Sequence, residues 1–234
     1  LFRSLRQKQI NVVKNWNKEF WKLVRLPDSE FKFQSMKALA QDFVFTSEIY
    51  GRLIISEMYL PTAEKTVHPL RLGGIAGGQK FVCQGILFKF AMDVALDAHG
   101  STVWMYGGSD PCNEYAMKSA KHEFNGIVAV NNLRWQGIAN IRVALTTIID
   151  FRGFRLSCQA LLPIGKNTLV YGSDNGGSTH LDDPAFGSSM KNVCAALNIK
   201  AHPFTPTRLP QRIVYGPVDL EGHRVGRAMY AVDL

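Results

Sequence analysis

The sequence predicts an α+β fold: N-terminal helices, followed by a largely antiparallel mixed sheet with helices packed against it. Three observations carry that expectation. Apolar residues recur at helical spacing through residues 13–57. Two alternating stretches, Ile141–Ile149 and Phe154–Leu162, flank the turn-forming Asp150-Phe151-Arg152-Gly153 and read as a β-hairpin. The regular strand–helix–strand alternation of a parallel sheet is missing.

Element by element, Val13, Trp16, Phe20 and Leu23 or Val24 form the apolar stripe of a first helix, which Leu26-Pro27-Asp28 ends because a residue before proline avoids the α region. Asp28 or Ser29 caps a second helix. Its stripe of Met36, Leu39, Phe43, Tyr50 and Ile54 continues to about Glu57. Pro61–Gly78 is loop-like, and Lys80–Phe90 reads as paired strands around Gly85. Asp93–Ala98 is expected as a short helix and Thr102–Tyr106 as a strand. Asp110-Pro111 opens a helix to about Phe124, proline being tolerated where no helical N–H is needed. After the hairpin come a strand at Thr168–Tyr171 and a helix opened by Asp183-Pro184, with Phe186, Met190, Val193, Cys194 and Leu197 on its buried face. Strands at Ile213–Tyr215 and Ala228–Val232 follow. The whole reads as one domain over 1–234, with a helical basic part at 1–60 and a mixed part at 61–234.

Hydrophobic residues make up 46% of the 234 positions and charged ones 20%, a globular mixture that excludes wholesale disorder. No apolar run approaches the roughly 20 residues of a spanning helix, and no signal peptide opens the chain. The missing initial Met suggests an upstream segment. Cys83, Cys112, Cys158 and Cys194 are far apart and form no CxxC pair, so free thiols in a reducing compartment, the cytoplasm, are expected. The histidines are scattered, and neither HExxH nor GxSxG occurs. No catalytic residue and no resident metal are assigned.

The charge is informative. The chain carries a net +8, and residues 1–40 hold nine bases against three acids. Lys14, Lys18, Lys22 and Arg25 recur on one stripe of the first helix. Such an excess suits a polyanionic partner, whether RNA, an anionic membrane surface or an acidic protein. A plain solvated helix face gives the same pattern. Trp16 and Trp21 are aromatic groups able to stack on bases, although Trp16 falls on the apolar stripe. The run Gly73–Gly78 before Gln79-Lys80 offers backbone N–H groups to an anion. It departs from the Walker pattern, since no Ser or Thr follows the Lys and a strand comes next. A flexible hairpin or lid is the alternative. Asp219, Glu221 and His223 alternate, as divalent-metal ligands on an extended segment would, and as an exposed strand edge also would.

Four blocks, in this order and spacing, resemble the central domain of the clustered-mitochondria (CLU) family: WNKEFWKLVRLP at Trp16–Pro27, IIDFRGFRLSCQALLP at Ile148–Pro163, LVYGSDNGGSTH at Leu169–His180 and IVYGPVDLEGHRVGRAMYAVDL at Ile213–Leu234. The resemblance covers roughly residues 14–234. It implies a large cytoplasmic protein needed for mitochondrial distribution and biogenesis, associated with mRNAs for mitochondrial proteins and with ribosomes or ribosome-associated proteins. Family members also carry a ubiquitin-like N-terminal region and C-terminal helical repeats, neither of which these residues contain. It transfers no catalytic residue and no cofactor. A second, fainter similarity is to the phosphoinositide-kinase and SAICAR-synthetase fold group. There a strand Lys holds nucleotide phosphates and late Asp residues serve base and metal roles. Under that alternative, with ATP and Mg²⁺, Lys89 would hold phosphate while Asp174 and Asp233 would serve base and metal roles. A third reading is a protein-interaction scaffold with the basic helix docking a protein.

Overall fold

A computed structural model describes residues 13–70, 79–98, 101–206 and 210–234. Helix α1 (Trp16–Val24) and helix α2 (Glu30–Ser56) open it. The side chain of Asn15 caps α1 by accepting the Lys18 N–H, and Ser29 caps α2 by accepting the Lys32 N–H. Strands β1 (Lys80–Cys83), β2 (Ile86–Phe90), β3 (Ala95–Ala98) and β4 (Ser101–Trp104) precede α3 (Asn113–Trp135). Then come β5 (Thr146–Phe151), β6 (Phe154–Ala160), β7 (Leu169–Gly172), α4 (Pro184–Ala196), β8 (His202–Phe204), β9 (Arg212–Val214), β10 (Glu221–Val225) and β11 (Ala228–Val232). Every ladder between these strands is antiparallel, as the α+β reading requires.

The chain divides into two compact units, the first from the described residues of Leu1–Lys121 and Leu145–Leu161, the second from His122–Ala144 and Leu162–Leu234. The first unit is built on a four-stranded sheet in the order β1-β2-β6-β5. The expected hairpin is there: Asp150 pairs with Arg155 and Phe151 with Phe154 across a turn at Arg152-Gly153. Arg155 clamps Asp150 through two bonds of 2.7 Å. That bidentate partner, outweighing partial burial, holds the Asp150 carboxyl below its ordinary range. Gly51 of α2 lies against Ile149 and Leu156 at 3.5 Å from where a Cβ would stand. The core joins Trp16, Phe43, Leu53 and Ile54 from the helices to Phe81, Ile86, Phe88, Phe90 and Leu156 from the sheet.

Two expectations about these segments are corrected. Asp93–Ala98 is not helical: Ala95–Ala98 is β3, paired with β4. The cause is Asp93, whose carboxylate accepts the N–H groups of Val94, Tyr106, Gly107 and Cys112, each at 2.9 Å. Tying both sides of the loop to one anion holds the segment extended. The helix opened by Asp110-Pro111 begins at Asn113 and passes Phe124 to reach Trp135.

The second unit centres on a three-stranded sheet in the order β11-β10-β7. Helix α4, capped by Asp183 with Pro184 in its first turn, packs Phe186, Met190 and Val193 into a core with Tyr171, Leu220 and Ala231. Phe186 stacks on Tyr171 at 5.1 Å. A Cβ on Gly222 would stand 2.7 Å from the Phe186 ring, so glycine is what lets the helix approach this strand. Ile141 and Val143 belong to this unit's core, and Arg142 bridges Tyr230. The alternation read as one strand from Ile141 to Ile149 is therefore two segments in two units. The four cysteines are free, with Cys158 and Cys194 buried, and burial pushes the Cys158 thiol far up. No helix among the described residues is long and apolar enough to cross a membrane.

Candidate nucleic-acid interface

Helix α1 has two unlike faces. Inward, Trp16 and Trp21 are each 3% exposed. The Trp16 indole N–H donates to the Gln84 carbonyl at 2.8 Å, and its ring meets Phe43 edge-on at 5.4 Å. Both indoles are core, so neither is placed to stack on a base. Outward, Lys18, Lys22 and Arg25 are exposed at spacings that share one side of a helix.

Lys14 lies just before α1 and is engaged: its Nζ is 3.1 Å from the Asp42 carboxylate and 4.2 Å from the Trp16 ring centroid. A second base that the sequence counted simply as charge is structural. The Lys32 side chain is 4% exposed, and its Nζ donates to the Leu26 carbonyl at 2.9 Å and to Asp28 at 2.8 Å. It staples the α1–α2 corner from inside. Lys14–Asp42, Trp16–Phe43 and Lys32–Leu26 together set the two helices antiparallel. The C-terminal end of the basic stripe therefore lies beside the start of α2. Phe31 and Phe45 of α2 are 71% and 65% exposed. The sequence reading passed over both, although their position off the Leu39–Phe43 stripe was a legible signal.

The kinase-like trio divides between the units. Lys89 is half-buried on β2, opposite Ser157 and Lys80, on the face away from Phe88 and Phe90. Asp174, exposed, follows β7, and Asp233 follows β11 with a φ of 56°. Both β7 and β11 run antiparallel to β10, and Glu221 of β10 pairs with Gly172 and Val232. Asp174 and Asp233 therefore leave the same end of one sheet.

Asp219 is in a turn, while Glu221 and His223 do alternate on β10. That strand is the central one of three, not an exposed edge, and His223 is 3% exposed. Its Nε2 lies 3.1 Å from Glu221 and its Nδ1 3.0 Å from the Thr168 hydroxyl, so both ring nitrogens are already partnered. No group of three or more metal-type ligands occurs among the described residues. Nearby, His180 is buried between Tyr171 and Phe204 with neither ring nitrogen hydrogen-bonded. Burial, helped by Arg212, holds it below the usual imidazole range, which favours the neutral ring. The Gly73–Gly78 run lies outside the described residues.

Comparison with known proteins agrees with the four sequence blocks. The family model described as "Clustered mitochondria" matches residues 15–234. A "Clustered mitochondria protein homolog" from Phaeosphaeria nodorum is 26% identical over 96% of this chain, which spans 17% of that protein. Its counterpart from Debaryomyces hansenii is 23% identical over 82% of the chain, spanning 14% of the relative. One from Xenopus tropicalis is 25% identical over 53%, spanning 9%. No solved structure matches. The chain thus spans less than a fifth of the length of these curated relatives, and with the family model covering nearly all of it, it belongs to the clustered mitochondria family.

Proposed function

We propose that this chain is a non-catalytic binding domain whose ligand is RNA, acting in the cytoplasm with RNA or ribosome-associated proteins in the distribution and biogenesis of mitochondria. The names of its relatives point to mitochondria, and the resemblance to their central domain points to mRNA. The observation that carries the reading is the exposed Lys18–Lys22–Arg25 stripe on a helix whose other face is core. Phosphate contacts need charge at the surface, not a particular base sequence. The test is RNA binding at low salt by the wild-type chain and by Lys18→Glu with Lys22→Glu. Affinity should fall by about tenfold or more while thermal stability stays unchanged, because both side chains are exposed. Equal affinity in the two proteins would discard the stripe as the contact.

A second reading, phosphate transfer from ATP with Mg²⁺, is favoured by one feature: Asp174 and Asp233 leave the same end of the second unit's sheet. It expects Mg²⁺-dependent ATP binding that Asp174→Asn weakens. Thermal stability indifferent to ATP and Mg²⁺ would end it.

A further inference from the structure

Phe31 and Phe45 are 14 positions apart on α2, about 21 Å at 1.5 Å per residue, and that spacing returns to nearly the same direction around the helix. Asp42 shares that direction, and the Lys14–Asp42 ion pair brings the edge of α1 alongside it. The pair also neutralises the Asp42 carboxylate. The α1–α2 hairpin therefore carries a track of positive charge on α1, Lys18, Lys22 and Arg25, and two large exposed rings on α2 that have no role in the core. The buried Lys32 staple holds the corner between them, so the arrangement is preorganised.

We infer that this two-helix face takes single-stranded RNA in preference to duplex, with the phosphates along α1 and unpaired bases stacked on Phe31 and Phe45. Every base offers a π-face, so ring platforms tolerate any sequence. A base held in a duplex cannot reach them, and a purely apolar partner would have no use for the adjoining cations. The inference rests on the RNA reading above and adds the strand state and the residues that discriminate it.

The experiment measures binding of an oligouridine of about 12 nucleotides and of a blunt RNA duplex of the same length. The proteins are the full chain, Phe31→Ala with Phe45→Ala, and Lys18→Glu with Lys22→Glu. The phenylalanine variant should bind the single strand about tenfold or more weakly, leave duplex binding unchanged and keep the wild-type salt dependence. The lysine variant should lose affinity for both ligands. If the phenylalanine variant binds the single strand normally, or weakens equally toward duplex, the stacking platform is wrong while the phosphate track stands. If the wild-type chain binds neither RNA, the RNA reading itself fails and this inference with it. High exposure of both rings makes a folding defect unexpected, and an unchanged thermal midpoint checks that.

Discussion

At the scale of single residues, Asp93 ties a whole loop to one side chain. Its side chain is buried, and four backbone N–H groups converge on it from Val94, Tyr106, Gly107 and Cys112. Burial alone would raise its carboxyl, but these donors outweigh burial and hold it below the ordinary 3.8. A carboxylate lowered in the folded state stabilises fully above the unfolded value and loses that contribution as pH falls from 3.8 through the folded value. Asp93→Asn should remove this acid-dependent part. It should also destabilise the chain near neutral pH by about 3 kcal/mol, because an amide turns a donor toward donors. Urea unfolding across pH 3 to 7 reads both effects. Equal stability of the two proteins at pH 7 would show that the loop does not depend on the anion. None of this was legible in the sequence: the partners reach Asp93 from up to nineteen positions away, and a lone Asp before Val-Ala-Leu looks like a helix start. Lys32 was hidden for the same reason, since a buried base and an exposed one read alike as charge.

At the scale of elements, local chemistry was the better guide. Ser29 and Asp183 cap their helices as the sequence suggested, and the hairpin around Asp150–Gly153 forms as expected, with its turn narrowed to Arg152-Gly153 because Asp150 and Phe151 already pair with Arg155 and Phe154. Failures came where tertiary contact overrides local preference. Asn125-Gly126 resembles a helix stop, yet α3 continues, and a Cβ on Gly126 would meet the Leu234 main chain at 3.2 Å. Strand β10 was missed as a buried central strand because Glu, Gly, His and Arg dominate it. The β1–β2 turn shows how one element positions another. Gly85 has a φ of 72°, and a Cβ there would stand 2.4 Å from the Lys14 carbonyl, next to the Trp16–Gln84 bond. Gly85→Ala therefore strains the turn and pushes α1 off the sheet at once, at roughly 2 kcal/mol or more. The expected readouts are a lowered thermal midpoint and red-shifted tryptophan emission as the Trp16 indole meets water. Native-like emission in a stable variant would mean that α1 does not dock through this turn.

At the scale of the whole molecule, charge decides what the surface can attract. Nine bases against three acids in residues 1–40 account for most of the net +8. The sequence could locate that excess but could not sort it, because sorting requires knowing which cations have partners. The structure pairs Lys14 with Asp42 and buries Lys32, and it leaves Lys18, Lys22 and Arg25 exposed together along α1. Each single-strand phosphate contact contributes about 0.7 to the slope of log affinity against log salt. Three contacts require a slope of about −2, steeper if Arg3, Arg6 and Lys8, which lie outside the described residues, also engage. Reversing Lys18 and Lys22 should flatten that slope by about 1.4, whereas removing the two rings should lower affinity at every salt concentration without tilting the line. A wild-type slope shallower than about −1 would leave too few phosphate contacts for the basic helix to hold RNA, and affinity would then have to come from elsewhere on the chain.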